Sequence, residues 1–167
     1  MTHAVAGAAI AQILAPRNRK ALLAAITCAM LPDIDVVGFR LDVPYDSMLG
    51  HRGLTHSIAF ACVVFVVLFW ARRLARPLAI SAALATLSHG FLDAFTSGGR
   101  GVAFFAPFSG ERFFFPFTPI EVSPIGLRFF SARGLDVFLS ELVWVWCPAA
   151  LLMAVLWFYR RAQSLTK

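Results

Sequence analysis

Five apolar stretches, separated by short polar breaks, dominate the pattern along the chain. They cover residues 2–15, 21–31, 56–71, 77–95 and 139–159. Each predicts a helix, with Pro32 marking a helix end and Pro77 a helix start. Small residues crowd the first stretch (Ala4-Val5-Ala6-Gly7-Ala8-Ala9) and the fourth (Ser81-Ala82-Ala83-Leu84-Ala85). Such faces let helix backbones approach closely. The connection over 96–136 is unusual, with seven phenylalanines between Phe104 and Phe117 and prolines at 107, 116 and 119. The prolines interrupt any long helix there, and a loop facing water would not carry so much aromatic surface. It is expected either to pack over the helices or to wall off an apolar ligand. No internal repeat and no second domain is visible, so residues 1–167 are expected to form one domain.

Composition turns these helices into membrane helices. Hydrophobic residues make up 59% of the 167 and charged ones 14%, against roughly 45–50% and 25% in soluble domains. A water-soluble fold of this size could not hide that much apolar surface. Disorder, coiled coil, collagen and a disulfide-stapled fold are excluded by composition. Cys28, Cys62 and Cys147 each stand alone inside an apolar stretch and read as small buried hydrophobes. The first side-chain cation is Arg17, so the start of the chain lacks the basic region of a signal peptide. The expected fold is an all-α integral membrane bundle of about five helices.

Charge placement orients the bundle. The net charge is +6, and Arg17, Arg19, Lys20, Arg72, Arg73, Arg76, Arg160, Arg161 and Lys167 form three clusters at helix ends. Threading the helices alternately puts all three clusters on one side, the cytoplasmic side by the positive-inside rule. All nine carboxylates and all four histidines then fall at the outer ends. This placement argues against nucleic-acid binding, despite the positive charge. His89 lies thirteen residues from Arg76 and His56 sixteen from Arg72. Those spans are about 20–24 Å against a hydrocarbon thickness of about 30 Å. The polar cluster is therefore expected somewhat below the outer headgroup plane.

The chemistry-bearing residues sit in four short blocks: Thr2-His3, Leu31-Pro32-Asp33-Ile34-Asp35, His51-Arg52-Gly53-Leu54-Thr55-His56-Ser57, and Ser88-His89-Gly90-Phe91-Leu92-Asp93. His89 and Asp93 share a helical face. His51 and His56 do not, so a loop must fold His51 back over His56. Asp33 and Asp35, after a proline, are expected on irregular backbone. Imidazoles with carboxylates and no thiolate suit Zn²⁺ first, with Mn²⁺ or Fe²⁺ as alternatives. Seven donors (His3, Asp33, Asp35, His51, His56, His89, Asp93) exceed what one tetrahedral zinc needs, so two ions are expected. Hydrogen-bonding links between helices, or a metal that only locks the fold, are the plainer explanations. Arg52, and less centrally Arg100 and Arg112, are expected to hold substrate charge, and Glu121 to act as a further ligand or general base. Thr55 and Ser57 are expected to cap a helix. The chain lacks the His-Glu-x-x-His signature of a zincin-type intramembrane protease. A metal transporter would need polar residues continuing to the inner side, and the third and fifth stretches offer none in mid-span.

These blocks, with the later Ala106-Pro107-Phe108-Ser109-Gly110-Glu111-Arg112-Phe113, make the sequence resemble the YdjM-type family of small bacterial inner-membrane proteins. That family is described as membrane-bound, metal-dependent hydrolases. The resemblance spans roughly residues 2–124 and is most specific in the two histidine blocks. It implies that Asp33, Asp35, His51, His56, His89 and Asp93 hold the metal, with His3 beside them. It also implies one membrane-embedded hydrolase domain in the inner membrane, and the charge placement above puts its site toward the periplasm. A more distant similarity to zinc-dependent phospholipase C suggests phosphoester or ester hydrolysis of a lipid or amphiphile. A non-catalytic protein with a structural or regulatory metal is the alternative.

Overall fold

A computed structural model describes residues 1–71, 76–124 and 130–165. Helix α1 covers Thr2–Leu14, α2 Arg19–Met30, α3 Ile58–Ala71 and α4 Arg76–Ala94. The last helical rod consists of α5 (Ala132–Glu141), a π-helical segment (Leu142–Trp146) and α6 (Cys147–Leu165). Counted as rods, the described residues form five helices where five apolar stretches lie. The described residues contain no strand; Thr96 with Ile120 and Val102 with Phe113 form isolated bridges. The basic residues Arg72, Arg73 and Lys167 fall outside the described residues.

The core is built from small side chains. Helices α1, α2 and α4 pack against one another, α3 lies on α4, and α6 lies on α1. Ala11, Ala25, Ala29 and Ala85 are fully buried where α1, α2 and α4 meet. Gly7 shows how near the backbones come: a Cβ there would stand 2.7 Å from the Ala25 carbonyl oxygen. This closeness and its dispersion contacts hold the three helices together. The small-residue stripes of the sequence are thus the packing faces.

Two local features depart from the sequence reading. Pro32 does not open an irregular loop. Instead α2 continues as a 3₁₀ helix over Leu31–Leu41, an uncommonly long run for that geometry. Proline has no N–H, so the Cys28 carbonyl loses its helical partner and receives the Thr86 hydroxyl at 3.1 Å instead. The last helix begins at Ala132, seven residues before the fifth apolar stretch, because its first turns are amphipathic and not uniformly apolar. Among the described residues two helices, Arg19–Leu41 and Ala132–Ser164, are long and apolar enough to cross a membrane, whereas Thr2–Leu14 and Ile58–Trp70 are apolar but shorter.

The Phe-rich connection folds over the end of α4. Phe104 and Phe115 pack on Phe91, and Phe115 stacks on Phe95 with ring centroids 4.3 Å apart. Phe105, Phe108, Phe114 and Phe117 point outward, Phe108 almost completely. Half the aromatic load is therefore packing and half is exposed surface. Arg112, expected as a substrate ligand, instead donates to the carbonyls of Tyr45, Ser47, His51 and Gly101. It fastens the 45–51 loop to the Phe-rich connection. Arg100 is exposed and pairs with Asp46.

Candidate functional site

The four blocks converge where the N-terminus of α1, the 3₁₀ extension of α2, the turn before α3 and the last turns of α4 meet. Each histidine is set by a particular backbone feature. His89 projects from α4, and its Nδ1 donates to the Ala29 carbonyl at 2.7 Å. The change to 3₁₀ bonding after Met30 is what leaves that carbonyl available. His56 ends a 3₁₀ turn over Leu54–His56 that lies directly on α4. Gly90 allows this contact, since a Cβ there would meet the His56 carbonyl oxygen at 2.6 Å. His3 stacks on His89 with centroids 3.6 Å apart.

Asp35 organises the outer half of the cluster. One carboxylate oxygen accepts from His51 Nδ1 at 2.7 Å. The other accepts from the Thr55 hydroxyl at 2.7 Å and the Arg52 backbone N–H at 3.1 Å, with His56 Nδ1 also 3.1 Å away. His51 is folded back over His56, ring centroid to centroid 5.6 Å, as its spacing requires. Thr55 therefore serves Asp35 instead of capping a helix. Ser57 does cap one: its hydroxyl donates to Leu54 O at 2.7 Å and accepts from Phe60 N–H at 3.1 Å. Arg52 is held at φ +62°, an unusual backbone for a residue with a side chain. Its N–H to Asp35 and its carbonyl, accepting from Ala103 N–H at 3.0 Å, fix it there.

With both Nδ1 atoms engaged, His56 and His89 turn their Nε2 atoms inward. Both are buried and neither has a hydrogen-bond partner. They face two carboxylates: His89 Nε2 is 3.3 Å from Asp33 Oδ1 and 3.7 Å from Asp93 Oδ2. His56 Nε2 is 3.4 Å from Asp93 Oδ2 and 4.0 Å from Asp33 Oδ1. His3 Nε2 lies 3.5 Å from the other Asp93 oxygen. Neighbouring donors around a tetrahedral zinc stand about 3.3–3.4 Å apart, given bonds of about 2.0–2.1 Å. Asp33, His56 and His89 form one group of three donors of that kind, and the separations of Asp33 and Asp93 from the two orphaned nitrogens run from 3.3 to 4.0 Å. The donors also group as His3–His89–Asp93 and as Asp35–His51–His56. All seven donors expected from the sequence therefore gather in one place.

The electrostatics ask for positive charge. Burial by itself would depress the His56 imidazole, yet its contacts with Asp35 and Asp93 raise its pKa to about 9. A proton thus occupies His56 where a cation would otherwise balance the carboxylates. Arg52 adds a second positive charge, its Nε 2.9 Å from Asp93 Oδ2 in an ion pair whose N–H is not aligned as a hydrogen bond. Its Nη1 donates to the Gly98 carbonyl at 2.9 Å.

A cavity of about 510 Å³ opens on this cluster, reaching His3, Asp33, His51, Arg52 and Asp93. Glu121 lines its wall, where it accepts from the Ser97 hydroxyl at 3.0 Å, and stands apart from all three donor groups. Sequence reasoning passed over Tyr45 and Glu141, which also line it. The available signal was an acid, Glu141, placed two residues into an apolar stretch.

Comparison with known proteins places these observations. A family model described as YdjM inner membrane protein matches residues 1–164. Inner membrane protein YbcI of Escherichia coli (strain K12) is 47% identical over 146 residues, covering 84% of each chain. No solved structure shows a significant match.

Proposed function

The chain belongs to the YdjM inner membrane protein family, and from that premise we propose that it is a metal-dependent hydrolase of membrane amphiphiles. One observation carries the reading. Two buried imidazole nitrogens without hydrogen-bond partners face two carboxylate oxygens at ligand-to-ligand spacing. Asp33, His56, His89 and Asp93 hold one divalent ion, zinc by donor type, with His3 as the neighbouring donor. The further group Asp35–His51–His56 is already closed by the hydrogen bonds of His51 and Thr55 to Asp35, so one ion is the simplest loading, and elemental analysis distinguishes it from the two expected from donor number. Asp35 and His51 act behind His56. Asp35 fixes which imidazole nitrogen faces the ion and strengthens it as a ligand.

When bound, such an ion polarises an ester or phosphoester oxygen and lowers the pKa of a bound water toward neutrality. The chain's own groups do the rest. Arg52 balances Asp93 and presents positive charge to the cavity where a headgroup lies. Glu121, held by Ser97, accepts a proton at the cavity wall. In the membrane, the basic ends at Arg17–Lys20, Arg76 and Arg160 lie toward the cytoplasm and the cluster toward the periplasm, supported by the positive-inside rule. An impermeant thiol reagent should then label a cysteine at Met48 from the periplasmic side of a variant lacking the native cysteines. Labelling from the cytoplasmic side alone would reverse the orientation.

The direct test joins elemental analysis of the purified protein with mass spectrometry of lipid hydrolysis products. About one zinc per chain and hydrolysis lost on chelation are expected. Full turnover in metal-stripped protein would overturn the reading. A structural metal is the second reading, favoured by how the donors tie α1, α2 and α4 together. Stoichiometric metal with no hydrolysis across a lipid panel would select it.

A further inference from the structure

Beside the donor cluster, the polar cavity is lined by Tyr45, Arg52 and Gly99. Gly99 stands at φ +89°, a backbone conformation that glycine adopts without strain. A Cβ there would lie 2.8 Å from Arg52 Nη1 and 2.9 Å from the Tyr45 hydroxyl. The two polar tips are thus neighbours over Gly99, and any larger residue at that position would come between them. Both are held from behind. The guanidinium carbons of Arg100 and Arg112 stand 5.7 and 5.4 Å from the Tyr45 ring centroid, and the His51 ring meets it edge to face at 5.6 Å. The Tyr45 carbonyl accepts from Arg112 Nη2 at 2.9 Å. Arg52 is only 5% exposed.

An arginine so buried needs its charge balanced. Among the described residues, Asp93 is the carboxylate in ion-pair contact with it, and Glu121 and Glu141 line the same cavity without reaching it. Asp93 Oδ2 also faces the open His56 and His89 nitrogens, at 3.4 and 3.7 Å. A cation held by the donor group draws on that same oxygen and leaves Arg52 short of negative charge on its cavity side. A phosphoryl group supplies it, because its non-bridging oxygens are charged and accept from a planar guanidinium and a hydroxyl alike. A carboxylic ester is neutral and has no such charge to offer. We propose that the Tyr45 hydroxyl and the Arg52 guanidinium form a subsite for the non-bridging oxygens of a phosphoryl group, so that the cavity takes phosphoesters in preference to carboxylic esters. The ester preference rests on the hydrolase reading; the anion subsite does not. Tyr45 is its specificity-determining member, since Arg52 also balances Asp93.

The test titrates inorganic phosphate and acetate into the full-length protein in detergent, equilibrated with zinc, by calorimetry. Phosphate should bind more tightly than acetate. Tyr45→Phe keeps the ring contacts and removes one donor to a charged ligand. It should weaken phosphate binding at least about tenfold, leave acetate binding unchanged and unfold at the wild-type temperature. Phosphate affinity indifferent to Tyr45→Phe, or acetate bound as tightly as phosphate, would overturn the proposal. Displacement of phosphate by dihexanoyl phosphatidylglycerol would assign the subsite to a lipid headgroup. Phosphate that the lipid cannot displace would assign it to the free anion and overturn the ester preference. Turnover of bis(p-nitrophenyl) phosphate and of p-nitrophenyl acetate is read on the same samples. Tyr45→Phe should lower kcat/KM about tenfold for the phosphodiester alone. Turnover of neither compound, with Tyr45-dependent phosphate binding intact, would strike the hydrolase reading and leave the subsite standing.

Discussion

The α1–α2–α4 trio and the α5–α6 rod solve the problem of helix contact in opposite ways. In the trio, Gly7, Ala11, Ala25, Ala29 and Ala85 are buried, and the backbones nearly touch. In the rod, Val143, Leu151, Val155, Trp157 and Phe158 stay largely exposed, and among the described residues of the π-α6 part only Val145 is buried. The difference teaches what small residues are for in this protein. Close backbones let His3, Asp33, His89 and Asp93, from three helices, come within a few ångströms of one another. The bulky rod keeps its distance from α1 and leaves a groove. One region is built to fix polar geometry and the other to leave apolar space.

The sharpest way to break that contrast is to remove a donor from the trio. His89→Ala should lower zinc affinity by at least about 100-fold, beyond the 10–100-fold typical of losing only a supporting residue. Hydrolysis should vanish with it, as measured by metal titration and product analysis on one sample. Retained zinc would take His89 out of the site.

Crowding the trio comes next. Gly7→Leu would drive carbon into the Ala25 carbonyl and should destabilise the bundle by about 3 kcal/mol, the upper range for overpacking. Thermal unfolding in detergent reads this. The matching change on the rod, Leu151→Ala, should shift stability by less than about 0.5 kcal/mol, as for exposed positions generally. Equal effects at the two sites would erase the comparison.

Weakening support without removing a donor sharpens it. Asp35→Asn should keep the fold and cost roughly 10–100-fold in zinc affinity. It should also change the pH dependence. In the metal-free protein the raised His56 pKa contributes stability that is complete below about 6.5 and is lost as pH climbs through about 9. Zinc must displace that proton, so uptake should strengthen with pH up to about 9. With Asp35 neutralised, the profile should move to lower pH, visible in zinc titrations between pH 6 and 9. An unmoved profile would separate Asp35 from His56.

The smallest effect belongs to the joint between the two regions. Trp146→Phe removes the hydrogen bond to Thr2 and should cost about 1 kcal/mol, the net value of one such bond. Zinc affinity should hardly change, since Thr2 only borders the donors.

Much was legible in the order of residues. Apolar runs are additive along the chain, so five helices, their small-residue faces and the separation of cations from histidines and carboxylates could be read directly. The seven donors could be collected because His and Asp at helix ends are costly in lipid and need a purpose. Their division of labour could not. Whether a carboxylate faces a cation or supports a histidine depends on which hydrogen bonds it already accepts. For Asp35 those come from His51, Arg52 and Thr55, sixteen to twenty residues away. The missing N–H of Pro32 is written in the sequence; that the carbonyls near the turn would be taken by Thr86 and His89 is not. Arg112, read as a ligand for phosphate, became a clamp on four carbonyls for the same reason. Hydrophobicity is a property of a residue, and the sequence by itself determined whatever depends on it. Hydrogen-bond saturation is a property of a neighbourhood, and only the tertiary structure decided which polar atoms were left open to bind.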